Sequence, residues 1–118
     1  MIGRPWLASY PESVPAEIDP TRDTSGADLL RASFDRYGNA PALSNLGATL
    51  TFSAVDRESR AFASYLTRLK LVKGDRVAVM LPNLLQSPIV IFGILRAGLV
   101  VVNVNPLYTP NELEHQLK

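Results

Sequence analysis

The sequence predicts an α/β fold, a partial parallel sheet with flanking helices over residues 24–118, behind an extended proline-rich arm at residues 1–23. Three observations predict it. Between Val77 and Asn111 the only charged residue is Arg96, and near-continuous apolar strands are those buried on both faces, as in parallel sheets. Two such runs, Arg76–Leu81 and Leu99–Val104, are separated by a helix-length segment, the alternation that gives parallel strands joined by right-handed crossovers. Glycine and proline fall at the joints: Gly74, Pro82, Gly98 and Pro106.

The elements follow in order. In the arm, Pro5, Pro11, Pro15 and Pro20 restrict the residues before them to extended backbone, so Trp6, Tyr10 and Val14 gain order only by lying on something. Thr24 or Ser25 caps a helix to about Tyr37, with Leu29, Leu30, Phe34 and Tyr37 on one side and Gly38-Asn39 stopping it. Ala42–Phe52 alternates around Asn45-Leu46-Gly47 and reads as a short hairpin whose turn type stays open. Ser53-Ala54-Val55-Asp56 has capping-box spacing and opens a helix carrying Val55, Phe62, Tyr65, Leu66 and Leu69, ending near Lys70. Gly74-Asp75 turns the chain into the strand Arg76–Leu81. A further helix starts near Ser87 with Pro88 at its first position, or a turn earlier at Asn83, and Gly98 ends it. After the strand Leu99–Val104, Thr109 caps a last helix with Pro110 at its first position. That helix runs into Lys118 without a C-cap signal, and the apolar strands have too little chain to cover both their faces, so the sequence is expected to be a piece of a larger unit.

Composition excludes several chemistries. The chain has 118 residues, 12 Lys and Arg against 11 Asp and Glu, and 47% hydrophobic residues, so neither disorder nor strong nucleic-acid steering is expected. Without cysteine there is no disulfide framework, thiolate zinc site, iron–sulfur cluster or thiol nucleophile, which fits a reducing cytoplasm. The single histidine, His115, sits among Glu112, Glu114 and Gln116 and reads as a solvated surface residue. Asp56 and Glu58 point apart on a helix, so no paired-carboxylate site is expected. The seven glycines are never closer than five residues apart, which leaves no phosphate-cradling loop. Catalytic, ATP-binding and metal-binding residues are therefore all expected to be absent. Arg57, Arg60, Arg68, Lys70 and Lys73 form a basic run that could touch phosphates but reads first as a solvated face. No apolar h-region opens the chain, and Ile89–Val104, cut by Arg96 and holding Gly93 and Gly98, is a helix-to-strand transition rather than a membrane span.

The motifs say more than the residue types. Leu50-Thr51-Phe52-Ser53-Ala54-Val55, then Gly74-Asp75-Arg76-Val77-Ala78, Pro82-Asn83 and Leu95-Arg96-Ala97-Gly98-Leu99-Val100-Val101-Val102-Asn103, resemble the opening core motifs of the AMP-forming acyl-CoA synthetase and adenylation superfamily. Within it, Asn103–Pro110 followed by Glu112–Leu117 is similar to the bacterial long-chain fatty acid:CoA ligases, as is the arm with Trp6, Tyr10-Pro11 and Val14–Ile18. Phe52 and Ala54 depart from the pattern, which usually has Tyr and Glu there.

The resemblance implies the opening part of the large N-terminal domain of a two-step ligase. A fatty carboxylate attacks the α-phosphate of Mg-ATP, releasing pyrophosphate, and the CoA thiol then displaces AMP. ATP, Mg2+ and CoA are the cofactors of the full-length enzyme, and this segment is expected to bind none of them and to be inactive alone. One contact is the exception: the loop Asn105-Pro106-Leu107-Tyr108 corresponds to a position near the CoA nucleotide in related synthetases. Implied partners are the remainder of the same enzyme, the fatty acid, a second copy through the N-terminal arm, and a membrane met peripherally from the cytoplasm, with no nucleic acid. An aryl, short-chain or carrier-protein substrate within the superfamily, or a free-standing oligomerisation or binding module, are the alternatives.

Overall fold

Ser25 lies in extended backbone, and its hydroxyl oxygen accepts the Asp28 N–H at 3.1 Å, capping α1 (Gly26–Tyr37) in a computed structural model that describes residues 3–21 and 25–118. An oxygen there satisfies a donor that the first turn leaves unpaired. Thr24, the other candidate cap, lies outside the described residues, as do positions 22–23 of the arm. The described arm contains a 3-10 turn, Pro5–Ser9, and an Arg4–Glu17 ion pair. Its Trp6, Tyr10, Val14 and Ile18 are exposed.

Strands β1 (Pro41–Asn45) and β2 (Ala48–Thr51) form the expected antiparallel hairpin, with Leu43 opposite Leu50 and Asn45 opposite Ala48. Both turn residues have positive φ, Leu46 at 48° and Gly47 at 82°. That backbone matches the twist of the flanking strands. It strains leucine by about 1–2 kcal/mol.

The second helix is capped earlier than its sequence suggests. The cap of α2 (Phe52–Arg68) is Thr51, not Ser53: the Thr51 hydroxyl accepts the Ala54 N–H at 3.1 Å. Ser53 lies inside the first turn, and its N–H donates to the Gly38 carbonyl at 2.8 Å, tying α2 to the end of α1. Asp56 is thereby free of capping. Phe52, where the superfamily pattern has Tyr, packs its ring against Phe34 and Tyr37.

Strands β3 (Arg76–Val79) and β4 (Val100–Asn103) pair in parallel, from Arg76 opposite Val100 to Val79 opposite Asn103. Each is shorter than its apolar run, because a two-stranded ladder extends only over the shared register. Between them α3 (Gln86–Arg96) places Pro88 third rather than first. The third N–H also lacks an intrahelical partner, so proline is tolerated there. Gly98 follows the helix at φ 74°, as its position predicts.

One face of the pair turns Val77, Val79 and Val101 onto α2 and α3, where Leu66, Val79, Ile94 and Leu99 are buried. The two helices meet at Gly93. A Cβ there would lie 2.8 Å from Phe62 Cδ1 and 3.0 Å from the Ser59 carbonyl oxygen. A second junction joins α1, α2 and α3: buried Phe34 stands edge-on to Phe52 and Phe92, with ring centroids 6.4 and 6.3 Å away. The Arg96 guanidinium lies over the Phe34 ring and pairs with Asp56. The one charge of the apolar stretch is thus neutralised. On the opposite face Gln116 and Leu117 of α4 (Pro110–Leu117) line a cavity of about 190 Å³ together with Ala78 and Val102.

Candidate functional site

Open parallel sheets bind ligands outside the carboxyl ends of their strands. Here that position is held by the segment after β4. Asn105 organises it: its side-chain oxygen accepts the Leu107 N–H at 3.0 Å, and its carbonyl accepts the Tyr108 N–H at 3.1 Å. Leu107 projects outward, 87% exposed. Thr109 then caps α4 in a full capping box with Glu112, whose carboxylate accepts the Thr109 N–H at 2.8 Å and its hydroxyl at 2.7 Å. The backbone bond first, and the hydroxyl second, hold the Glu112 carboxyl below its ordinary value.

The capping box sets the phase of α4, so residues three and four apart share a face. Tyr108, Asn111, Glu112, His115 and Gln116 accordingly line an open cleft of about 590 Å³. Of the four loop residues singled out by the sequence, Tyr108 lines it, whereas Asn105, Pro106 and Leu107 do not. The other lining residues were missed, although Thr109-x-x-Glu112 was legible as a phase signal. Gln116 is anchored by donating from Nε2 to the Asn103 carbonyl at 3.0 Å, which fixes α4 on the end of β4.

The donor set can recognise some ligands and not others. An aromatic ring, the Asn111 amide and an imidazole suit the face and edges of a purine. A carboxylate with no lysine or arginine does not suit a phosphate chain. Among the described residues no group of three or more His, Asp or Glu could hold a metal ion.

The remaining motif residues act on the fold. Gly74, at φ 92°, donates its N–H to the Gly98 carbonyl at 3.0 Å, and the Asp75 carbonyl accepts the Val100 N–H at 2.8 Å. The Asp75 carboxylate accepts the Val72 N–H at 2.9 Å. Both glycines and the aspartate therefore clamp the leading edge of the sheet. Arg96 and Asp56 clamp the helices.

Residues 30–118 match the AMP-binding enzyme family. The chain is 58% identical over 113 residues to a long-chain-fatty-acid–CoA ligase of Escherichia coli O6:H1, covering 95% of this chain and 20% of that protein. It is 44% identical over 115 residues to a long-chain-fatty-acid–CoA ligase of Bacillus subtilis, covering 98% and 20% respectively. Among solved structures it superposes on the N-terminal subdomain of Klebsiella oxytoca NpsA in complex with anthranilyl-AMSN, with a TM-score of 0.76 at 22% identity over 79% of this chain and 24% of that one. At that identity the likeness is one of fold. The chain spans about 20% of the length of the curated relatives it matches. Because the family match runs from within α1 to the end of α4 and takes in every strand, the chain belongs to the AMP-binding enzyme family.

Proposed function

We propose that this chain is the opening segment of an ATP-dependent long-chain fatty acid:CoA ligase, folded as residues 24–118 behind the arm at 1–23. The observation that carries the reading is the 58% identity over nearly the whole chain to a long-chain-fatty-acid–CoA ligase. The alternative substrates, aryl or short-chain acids or a carrier protein, gain no support of that kind, since the NpsA likeness is at 22%.

ATP and CoA, with Mg2+, supply the chemistry in such an enzyme: adenylation of the carboxylate, then thiol displacement of AMP. This segment contributes a scaffold and one contact. The Gly74–Asp75–Gly98 clamp and the Asp56–Arg96 pair fix the strands and helices from which the loop Asn105–Tyr108 is carried. Tyr108, with Asn111, offers a ring and an amide to the adenine of CoA. Cations for the phosphates lie elsewhere in the enzyme. The exposed aromatic arm is a docking segment for a second copy. We place the enzyme in the cytoplasm, meeting the inner membrane peripherally; no helix among the described residues is long and apolar enough to cross a membrane.

The test is acyl-CoA formation by the full-length gene product with a saturated long-chain fatty acid, and with an aryl acid beside it. Fatty acyl-CoA with release of AMP and pyrophosphate is expected, and the Tyr108→Ala variant should raise KM for CoA while leaving KM for ATP unchanged. Turnover of the aryl acid alone would overturn the substrate assignment. Micromolar ATP binding by the isolated 118 residues would overturn the scaffold role.

A further inference from the structure

The basic run at the end of α2 divides in two. Arg57 pairs with Glu58, and Arg60 shares the Asp56 carboxylate with Arg96, so each of these cations has an acidic partner. Arg68, Lys70 and Lys73 are exposed, and no carboxylate among the described residues forms an ion pair with them. Asp75, the acid of this turn, is turned inward onto the Val72 N–H, leaving the segment net positive. Three apolar side chains stand among these cations: Tyr65 and Leu69 at 50% exposure and Val72 at 66%.

From this juxtaposition we propose that the turn Arg68–Lys73, with Tyr65, is a docking surface for an anionic lipid bilayer. Apolar and cationic side chains interleaved on one exposed turn match the two layers of an interface, acyl boundary and phosphate headgroups. The lysine stems can lie along apolar surface while their ammonium groups reach outward; the Lys73 stem already runs beside the backbone at Gly98. A free phosphate is the poorer occupant. The end of a helix offers carbonyls rather than the converging N–H groups an anion needs, and exposed valine and leucine contribute nothing to it.

Position supports the same occupant. The turn precedes the N-terminal end of β3, whereas the Asn105–Tyr108 loop follows the C-terminal end of β4, and the strands are parallel. Docking by the turn leaves that loop free. The assignment rests on the peripheral-membrane reading above and adds which face carries it.

The test is co-sedimentation of the full-length gene product with vesicles of phosphatidylcholine alone or mixed with phosphatidylglycerol. Binding is expected only to the mixed vesicles, and should weaken as salt is raised. Each basic residue at such a surface contributes about a fivefold factor, so Lys70→Asn with Lys73→Gln should lower partitioning about 25-fold. Asparagine suits position 70, where φ is 60°, so melting should be unchanged. Val72→Ser should weaken the binding that survives at raised salt. Arg57→Gln with Lys118→Gln makes the same change in net charge elsewhere and should have little effect. Wild-type binding that survives the Lys70/Lys73 change, or falls equally in the control, overturns the mapping but leaves peripheral association standing. No binding by the wild type overturns both. Displacement by inorganic phosphate beyond that by chloride of equal ionic strength would show a phosphate site instead.

Discussion

Replacing Gly93 by alanine sets two known effects against each other. Alanine in a helix is favoured over glycine by about 1 kcal/mol. The added methyl, however, would sit 2.8 Å from Phe62 Cδ1, 3.1 Å from Phe62 Cβ and 3.0 Å from the Ser59 carbonyl oxygen. The ring can swing, because Phe62 is only partly buried and stacks loosely on exposed Tyr65 with centroids 6.0 Å apart. The backbone of α2 cannot, since Ser59 is fully buried, its hydroxyl donates to the Asp56 carbonyl, and Leu66 on the same helix sits in the core. Overpacking against such a wall costs about 1–3 kcal/mol. Gly93→Ala should therefore be destabilising by about 1 kcal/mol net, which is the larger cost less the helix gain. The assay is the denaturation midpoint of the full-length gene product, alone and in a cycle with Phe62→Ala. Removing the ring should recover only part of the loss, because the Ser59 carbonyl remains. A Gly93→Ala protein as stable as the wild type would refute the close-crossing argument, and full recovery by Phe62→Ala would refute the role given to the backbone.

Three further outcomes are expected. Gly98→Val meets open space apart from the Lys73 stem at 3.6 Å, so its cost is backbone strain at φ 74°, about 1–3 kcal/mol. It should lower the melting temperature while leaving KM for ATP unchanged, and a selective rise in that KM would show the glycine to be part of the site. Asp56→Asn strips Arg96, only 13% exposed, of its carboxylate and should cost about 2–4 kcal/mol; adding Arg96→Met should restore part of that stability, and a loss that deepens instead would count against the pairing. For α4, the Glu112 carboxyl titrates below the ordinary 4.5 because Thr109 bonds its charged form. A lowered folded value means that the cap stabilises the helix above the ordinary value and is lost as pH falls through the lowered one. Carboxyl NMR should show the midpoint moving back up in Thr109→Ala, only partly, as the backbone N–H remains; an unmoved midpoint would contradict the capping box.

The sequence by itself determined the order and kind of the elements, because they are set by local chemistry. A cap at Thr24 or Ser25, Thr109 as the cap of α4, Gly98 as a stop and the alternation of β3, α3 and β4 all depend on residues within a turn or two of each other. The parallel pairing was legible too, since strands joined by a helix have no short route to antiparallel pairing. Residues distant in sequence decided the rest. Asp56 reads as a capping acid and is in fact the partner of Arg96, forty residues on, which leaves Thr51 to cap α2. Gly93 reads as an interruption of an apolar run, and only the crossing with α2 shows why no larger residue fits. The loop Asn105–Tyr108 was singled out by its motif, yet just Tyr108 of it reaches the cleft, because α4 brings Asn111, Glu112, His115 and Gln116 to the same side. Caps and turns are nearest-neighbour energies that a short window of sequence contains, whereas ion pairs, helix crossings and cleft walls exist only once the chain has brought remote residues within a few ångströms.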